Sequence, residues 1–238
     1  MTKIINEITP EHLAKLDQID RNCIAMHVPT PPKTFINMQV HDKEGNLTLD
    51  YSMPSRSWVR NAYNRLASQM LELDGATVTG SATAYEAGSL KIKQQNATVY
   101  TYGEWLTGAQ TYTTAAISND TYGIIVGTGN TAESFEHYAL AAKVANGTSA
   151  GQISYQAQDA PVGAYNSDTK KWTATITRIF NNNSGGSISV AEVGYVCQLY
   201  YAAAKDMLVC RDLLAEAVAV ANGAQLTVTY TIEMTYPA

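Results

Sequence analysis

The residues most suggestive of chemistry are 127–132, Gly-Thr-Gly-Asn-Thr-Ala, which follow the apolar residues 124–126. This spacing matches the G-x-G-x-x-A turn of dinucleotide-binding folds, in which a following helix presents its N-terminus to a pyrophosphate. Residues 134–144 could form that helix. The surrounding sequence, however, indicates short antiparallel strands instead of repeated βαβ units, and no acidic residue ends a strand about twenty positions further on. We therefore interpret the motif as a glycine-rich turn.

Other catalytic or metal-binding patterns are missing from the sequence. The histidines share no ligand spacing, no two cysteines form a C-x-x-C pair, and no G-x-S-x-G elbow occurs. Carboxylates are sparse beyond residue 75, so a glycosidase-like pair would require a coincidence of folding. The sequence predicts no catalytic residue, no cofactor and no metal, and we expect a protein that is not an enzyme. Cys197 and Cys210 could pair, but their strand-like flanks favour buried thiols.

Arginine and aromatic side chains are the candidates for binding. Arg56 and Arg60 lie four positions apart and could contact phosphate or an acidic patch on a partner, although a solvated helix face is the simpler interpretation. Tyr outnumbers Phe by 15 to 3, and tyrosines beside small polar residues suit a sugar platform or a half-polar protein interface. The candidate interface residues are Arg56, Trp58, Arg60, Trp105, Tyr112 and Trp172.

The N-terminal third contains the clearest helix signals. Thr9, Pro10 and Glu11 form a helix start, and apolar residues then recur at spacings of three and four up to Cys23. The prolines within 29–32 end this helix and form a stiff connector. Alternating residues on both sides of the polar turn 42–46 predict a hairpin. Residues 55–73 predict an amphipathic helix whose apolar face includes Trp58.

The remaining sequence predicts short strands with polar turns. The last strand alternates strictly over 226–235 and follows Asn222-Gly223, the strongest short hairpin signal. A second hairpin is predicted to join 172–180 to 188–199. Together these features predict a mainly β protein, an antiparallel β-sandwich of jelly-roll-like form preceded by a small N-terminal α/β region.

Charge divides the chain near Gly75. Residues 1–74 hold 17 charged side chains and the remaining 164 residues only 20. We predict an N-terminal helix and proline-rich arm over 1–33, a hairpin and helix over 34–74, and a β-sandwich body over 75–238. A net charge of −5 argues against nucleic acid as the main partner. The first residues lack the apolar run of a signal peptide, no run is long enough to cross a membrane, and we expect no membrane contact.

Several stretches resemble structural proteins of tailed bacteriophage virions, in which a GIVVGTG turn, an FTNNSG…ITVNEVG hairpin and a closing NGxxLTVTYTI strand recur. The matching stretches of this chain are 123–132 (GIIVGTGNTA) with 138–140 and 146–155, 177–194 (TRIFNNNSGGSISVAEVG), 211–214 (RDLL) with 220–232 (VANGAQLTVTYTI), 40–46 and 53–64 (MPSRSWVRNAYN). The resemblance covers about two-thirds of the chain by these motifs and brings no catalytic residues with it.

This resemblance implies a non-enzymatic virion protein that builds or stabilises the particle through protein–protein contacts in a symmetric homo-oligomer. Its partners would be copies of itself and other virion proteins, and it would be made in the host cytoplasm and located in the virion. A capsid decoration or cement role and a neck or tail role remain open. The alternative is a carbohydrate- or receptor-binding module of a tail fibre, with Trp105, Tyr112 and Trp172 as the platform for a host-surface glycan.

Overall fold

The computed structural model describes residues 1–28, 30–71, 92–100, 110–201 and 203–236. Within them the protein is mainly β, with two sheets packed in a sandwich-like arrangement, as the sequence predicts. Its core consists of apolar residues from both sheets, including Ile36, Val193 and Tyr230.

In the part of the chain that the structure describes, the larger sheet contains seven strands. The strand order is β1 (Lys3–Asn6), β3 (Leu47–Pro54), β2 (Lys33–His41), β13 (Gln225–Thr235), β10 (Lys171–Asn181) and β8 (Ser154–Tyr155). A further strand, β9 (Val162–Asn166), pairs with β10 along the same edge as β8. All neighbours are antiparallel except β1 and β3, which are parallel. Alternate residues of β2, β10 and β13 are buried, which is the pattern of strands with one face on a core.

The second sheet is built on a long hairpin. Its strands are β11 (Ile188–Tyr201), β12 (Ala203–Val220), β6 (Gln110–Tyr112) and β7 (Gly123–Gly127), with β6 and β7 both pairing with β11. The short strands β4 (Ile92–Lys93) and β5 (Val99–Tyr100) form a separate ladder. All five residues of β7 are buried.

Within the described residues the helices are α1 (Pro10–Ala25) and α2 (Arg60–Leu71). As predicted, α1 starts after Thr9, whose hydroxyl accepts a hydrogen bond from the His12 N–H at 3.1 Å. The second helix begins later than the sequence predicts, because residues 57–59 pair with β12: Trp58 bridges Cys210, and the Val59 N–H donates to the Val209 carbonyl at 3.0 Å. Trp58 therefore lies in extended chain and not on a helix face.

The predicted hairpin around the turn 42–46 is confirmed as β2 and β3. It is also part of the large sheet, because β2 pairs with β13 along nine residues. The sheet thus joins residues from the predicted 34–74 region to the predicted body, and the proposed boundary near Gly75 lies outside the described residues.

Both other predicted hairpins are wrong. β10 and β11 belong to different sheets, as do β12 and β13, so the two connections cross between the layers. They meet at the buried Asn182, whose amide donates to the Val220 carbonyl at 2.7 Å and to the Gly186 carbonyl at 2.8 Å. The Gly185 N–H in turn donates to the Asn222 side chain at 2.8 Å. Alternation shows which face of a strand is buried, but not which strand lies beside it.

Candidate functional site

An open apolar groove of about 480 Å³ lies between α1 and α2. One wall comes from α1 and the other from α2 and the extended segment before it. The lining side chains are mostly apolar, with a few polar groups, and comprise His12, Leu16, Ile19, Pro31, Pro32, Lys33, Thr34, Phe35, Pro54, Ser55, Arg56, Trp58, Ala62, Tyr63 and Leu66.

The α1 wall is held by polar contacts more than by apolar packing. The only buried residue of α1 is Asp20, which accepts hydrogen bonds from the Lys33 ammonium at 2.5 Å and the Thr235 hydroxyl at 2.6 Å. Its apolar residues Leu13 and Ile19 are each 43% exposed. Because a 16-residue helix is marginal on its own in water, α1 gains stability from whatever covers these side chains.

The opposite wall is fixed by a buried carboxylate on β12. Asp212 accepts hydrogen bonds from the Arg56 N–H at 2.7 Å and the Ser55 hydroxyl at 2.8 Å, and the Tyr230 hydroxyl lies 3.5 Å away. Burial raises the pKa of Asp212 to about 6, although the bonds from Arg56 and Ser55 oppose the shift. The carboxylate thereby holds the start of the Trp58 segment against the second sheet.

The two predicted arginines are separated by the late start of α2. Arg56 lines the groove and pairs with Glu7, whereas Arg60 is buried, pairs with Glu136 and stacks on Phe135 at 5.0 Å. The hydrogen bond from Arg60 lowers the pKa of Glu136. Because each guanidinium already contacts an acid of the same chain, their arrangement does not favour the phosphate-site interpretation.

The structure also places the predicted aromatic residues in different parts of the molecule. Trp58 lines the groove beside Tyr63 and Phe35, which the sequence analysis did not single out. Trp172 is elsewhere, on β10, with its ring over Gly163 of β9. Trp105 lies outside the described residues, and Tyr112 is placed in β6 without a description of its side chain. Of the candidate residues, the groove therefore brings together Arg56 and Trp58.

The glycine-rich motif has a structural role that the sequence did not reveal. Residues 134–144 are not helical, and the segment after β7 instead covers a fully buried ion pair, in which the Arg211 Nε donates to Glu192 at 2.6 Å. The Glu192 carboxylate also accepts from three backbone N–H groups, those of Gly129 at 3.2 Å, Ala141 at 3.1 Å and Ala142 at 2.7 Å. The motif therefore opens an irregular loop and not a helix, and the loop returns to β7 where the Thr128 N–H donates to the Ala142 carbonyl at 2.8 Å.

A side chain at either motif glycine would collide with this ion pair. A Cβ on Gly127 or Gly129 would lie 2.5 Å from the Glu192 Oε1. Burial, together with the Arg211 charge, lowers the pKa of the adjacent His137. The only sequence signal for the pair is a glutamate inside the apolar run of β11, since its partner lies on another strand.

The described residues contain no group of three His, Cys, Asp or Glu side chains arranged for a metal ion. Among these same residues, no helix is long and apolar enough to span a membrane. Cys197 and Cys210 are buried and free, as predicted. The chain matches no protein-family model, no curated protein and no solved structure.

Proposed function

We propose that this protein is a structural component of a tailed-bacteriophage virion, acting without catalysis through protein–protein contacts in a symmetric oligomer. The observation that carries the protein–protein contact is the open apolar groove between α1 and α2. Covering apolar surface stabilises an assembly by about 25 cal/mol per Å². A groove of this kind gives a partner helix an apolar surface to cover.

The occupant that fits the groove best is α1 of a neighbouring copy. Leu13 of α1 and Met26, which directly follows the helix, are exposed outside the groove lining, so one copy presents apolar residues while the next presents a groove. A helix in an apolar groove is a common recognition mode. Because the inserted residues of α1 differ from those that line the groove, the contact is heterologous. Repeating such a contact gives a closed ring when its rotation divides a full turn, and we propose the ring form here.

The charges around the groove agree with this occupant. Arg56 is paired with Glu7 within the chain, so an approaching partner meets no uncompensated guanidinium there. Centres of wide protein interfaces are depleted in charge. The virion assignment itself rests on the resemblance of the sequence motifs to phage structural proteins, and both capsid decoration and neck or tail roles are compatible with a ring.

Replacing Leu66 by Glu tests the groove. Leu66 lines the groove and is 53% exposed, so a carboxylate there leaves the isolated fold intact but charges the contact. We expect wild-type protein to give one assembly of defined mass in light scattering, and Leu66→Glu to dissociate it into smaller species. The matched control is Ile117→Glu, which changes an exposed apolar residue outside the groove lining and should keep the wild-type mass.

Unchanged mass in Leu66→Glu would contradict the groove contact, and a monomeric wild type at the highest soluble concentration would contradict the oligomer. The virion assignment is tested separately by mass spectrometry and cryo-electron microscopy of purified phage particles. We expect the chain at stoichiometric, symmetry-related positions. Its presence in infected cells but absence from particles would refute the assignment.

A further inference from the structure

The strand β9 is an open edge of the large sheet. It pairs antiparallel with β10 over five residues, and all five are exposed. In the described part of the chain no strand pairs with its other side. Antiparallel pairing uses the N–H and C=O groups of alternate residues, so the remaining groups of β9 point outward and can receive another strand.

Other sheet edges of the described chain carry protection that β9 lacks. β1 is only four residues long and carries Lys3, which forms an ion pair with Glu216. The edge of β12 is covered where the Arg211 N–H donates to the Ser57 carbonyl at 3.1 Å. β9 contains no charged residue and exposes Val162 by 67% and Tyr165 by 53%. Folded proteins rarely leave such an edge without a partner.

We propose that β9 pairs antiparallel with β9 of a second copy across a twofold axis at Ala164, which joins the two large sheets into one. The partner must be a strand, because the open groups are backbone donors and acceptors. A copy of this chain fits because antiparallel pairing about a twofold axis is self-complementary. This contact deepens the proposed function and rests on it for the existence of a symmetric oligomer.

The side chains of β9 complement each other in this register. Centring the pair on Ala164 places Gly163 opposite Tyr165 of the second copy. The Trp172 ring already covers Gly163, with a ring carbon 2.9 Å from where a Cβ would stand, and Trp172 faces Tyr165 within the chain. The tyrosine of each copy packs edge-on against Tyr236 of its own chain, with ring centroids 5.7 Å apart, and would meet the Trp172 ring of the other copy, which extends the aromatic row across the axis. An aromatic residue opposite a strand glycine is a favourable cross-strand pair.

The residues of β9 do not oppose the contact through their charge. The strand consists of Val, Gly, Ala, Tyr and Asn, so no like charges face each other within the paired segment, which avoids the repulsion that usually keeps edges apart. Asp168 and Lys170 belong to the turn that joins β9 to β10 and lie outside the strand register.

The first experiment places charges at the axis. In a Leu66→Glu background, which removes the groove contact, we expect a dimer through β9. Ala164→Lys or Ala164→Glu in that background puts two like charges opposite each other and should give monomers. An equimolar mixture of the two variants pairs opposite charges and should restore the dimer. The exposed position of Ala164 leaves the fold of each chain intact.

A disulfide trap tests the register. With Cys23 replaced by Ser, because it is the free cysteine that is not buried, Ala164→Cys should form a crosslinked dimer under mild oxidation. A disulfide needs Cα atoms about 4.4 to 6.8 Å apart, as residues opposite each other are. The matched control is Val162→Cys, whose copies would lie four residues apart, about 14 Å at about 3.4 Å per residue, and should stay uncrosslinked.

The outcomes separate this contact from the groove contact. If Leu66→Glu alone is already monomeric and Ala164→Cys does not crosslink, β9 pairing is wrong while the groove assembly stands. If Leu66→Glu leaves the wild-type mass unchanged but Ala164→Lys in the same background lowers it, β9 pairing holds and the groove contact fails. Equal crosslinking of Val162→Cys and Ala164→Cys would overturn the twofold register.

Discussion

Replacing Glu192 by Gln tests the claim that the buried ion pair holds the 128–142 segment on the second sheet. Oε1 accepts from the Gly129 and Ala142 N–H groups, and Oε2 accepts from the Ala141 N–H and the Arg211 Nε. An amide has only one such oxygen. Its NH₂ group would therefore face two donors, and the Arg211 guanidinium would lose its counter-charge.

The expected cost follows from the complete burial of both side chains. Breaking a buried pair by removing one charge costs about 3–5 kcal/mol, because the remaining charge is left without water. We expect Glu192→Gln to lower the free energy of unfolding in urea by this amount. Hydrogen exchange of the Ala141 and Ala142 amides should accelerate at the same time, since both lose a charged acceptor.

The matched control is Glu11→Gln, which makes the same chemical change in the Lys15–Glu11 pair, where the side chains are 72% and 78% exposed. Exposed pairs contribute about 0–1 kcal/mol, so this variant should be nearly as stable as wild type. A cost below about 1 kcal/mol for Glu192→Gln, equal to the control, would refute the reasoning.

Two further predictions concern the same half of the molecule. Asp212 ionises near pH 3.8 in the unfolded chain and near pH 6 in the fold, so the stability of wild type should fall relative to Asp212→Asn by about 2 kcal/mol as the pH rises from 4 to 7. Urea unfolding at several pH values measures this difference, with the exposed Asp168→Asn as the control. A difference that does not change with pH would contradict the prediction. Gly127→Ala would bring a Cβ within 2.7 Å of the Ala142 carbonyl and should lower the free energy of unfolding by about 1–3 kcal/mol in thermal or urea unfolding. Gly186→Ala, where a Cβ would meet nothing within 4 Å, should change it little. Equal effects of the two substitutions would show that the backbone around Gly127 adjusts without cost.

Features that depend on neighbouring residues were predictable from the sequence. The cap at Thr9, the hairpin of β2 and β3, and the alternation of β13 are each encoded within about ten residues. The glycine-rich motif was also predictable as a turn, because no βαβ pattern surrounds it. The groove was predictable only in part. The sequence indicated Trp58 and the apolar stripe of α1 as apolar surfaces, but it did not indicate that the two lie close together in the fold.

The choice of strand partners was decided by the tertiary structure. β10 has the alternation of a hairpin strand and was predicted to pair with β11, yet it pairs with β13, more than forty residues away. Similarly, β12 pairs with β11 and not with β13, which follows it in the chain. The alternation of apolar residues in a strand is the same whichever strand lies beside it. The partners are selected because the inner faces of both sheets must be buried against each other in the sandwich. The late start of α2 has the same cause, since pairing of Trp58 with Cys210 on β12 outweighs the helical pattern of residues 55–59.

The sequence by itself determined the fold class, the first helix, the turns and the low charge content of residues 75–238. The tertiary structure alone decided that Glu192 meets Arg211 beneath the glycine-rich segment, that α1 and α2 form a groove, and that β9 is an edge strand among the described residues. These three features join residues from separate strands and loops, and their energies come from desolvation and packing between distant segments. Contacts between such distant segments cannot be predicted from the local pattern of residue types.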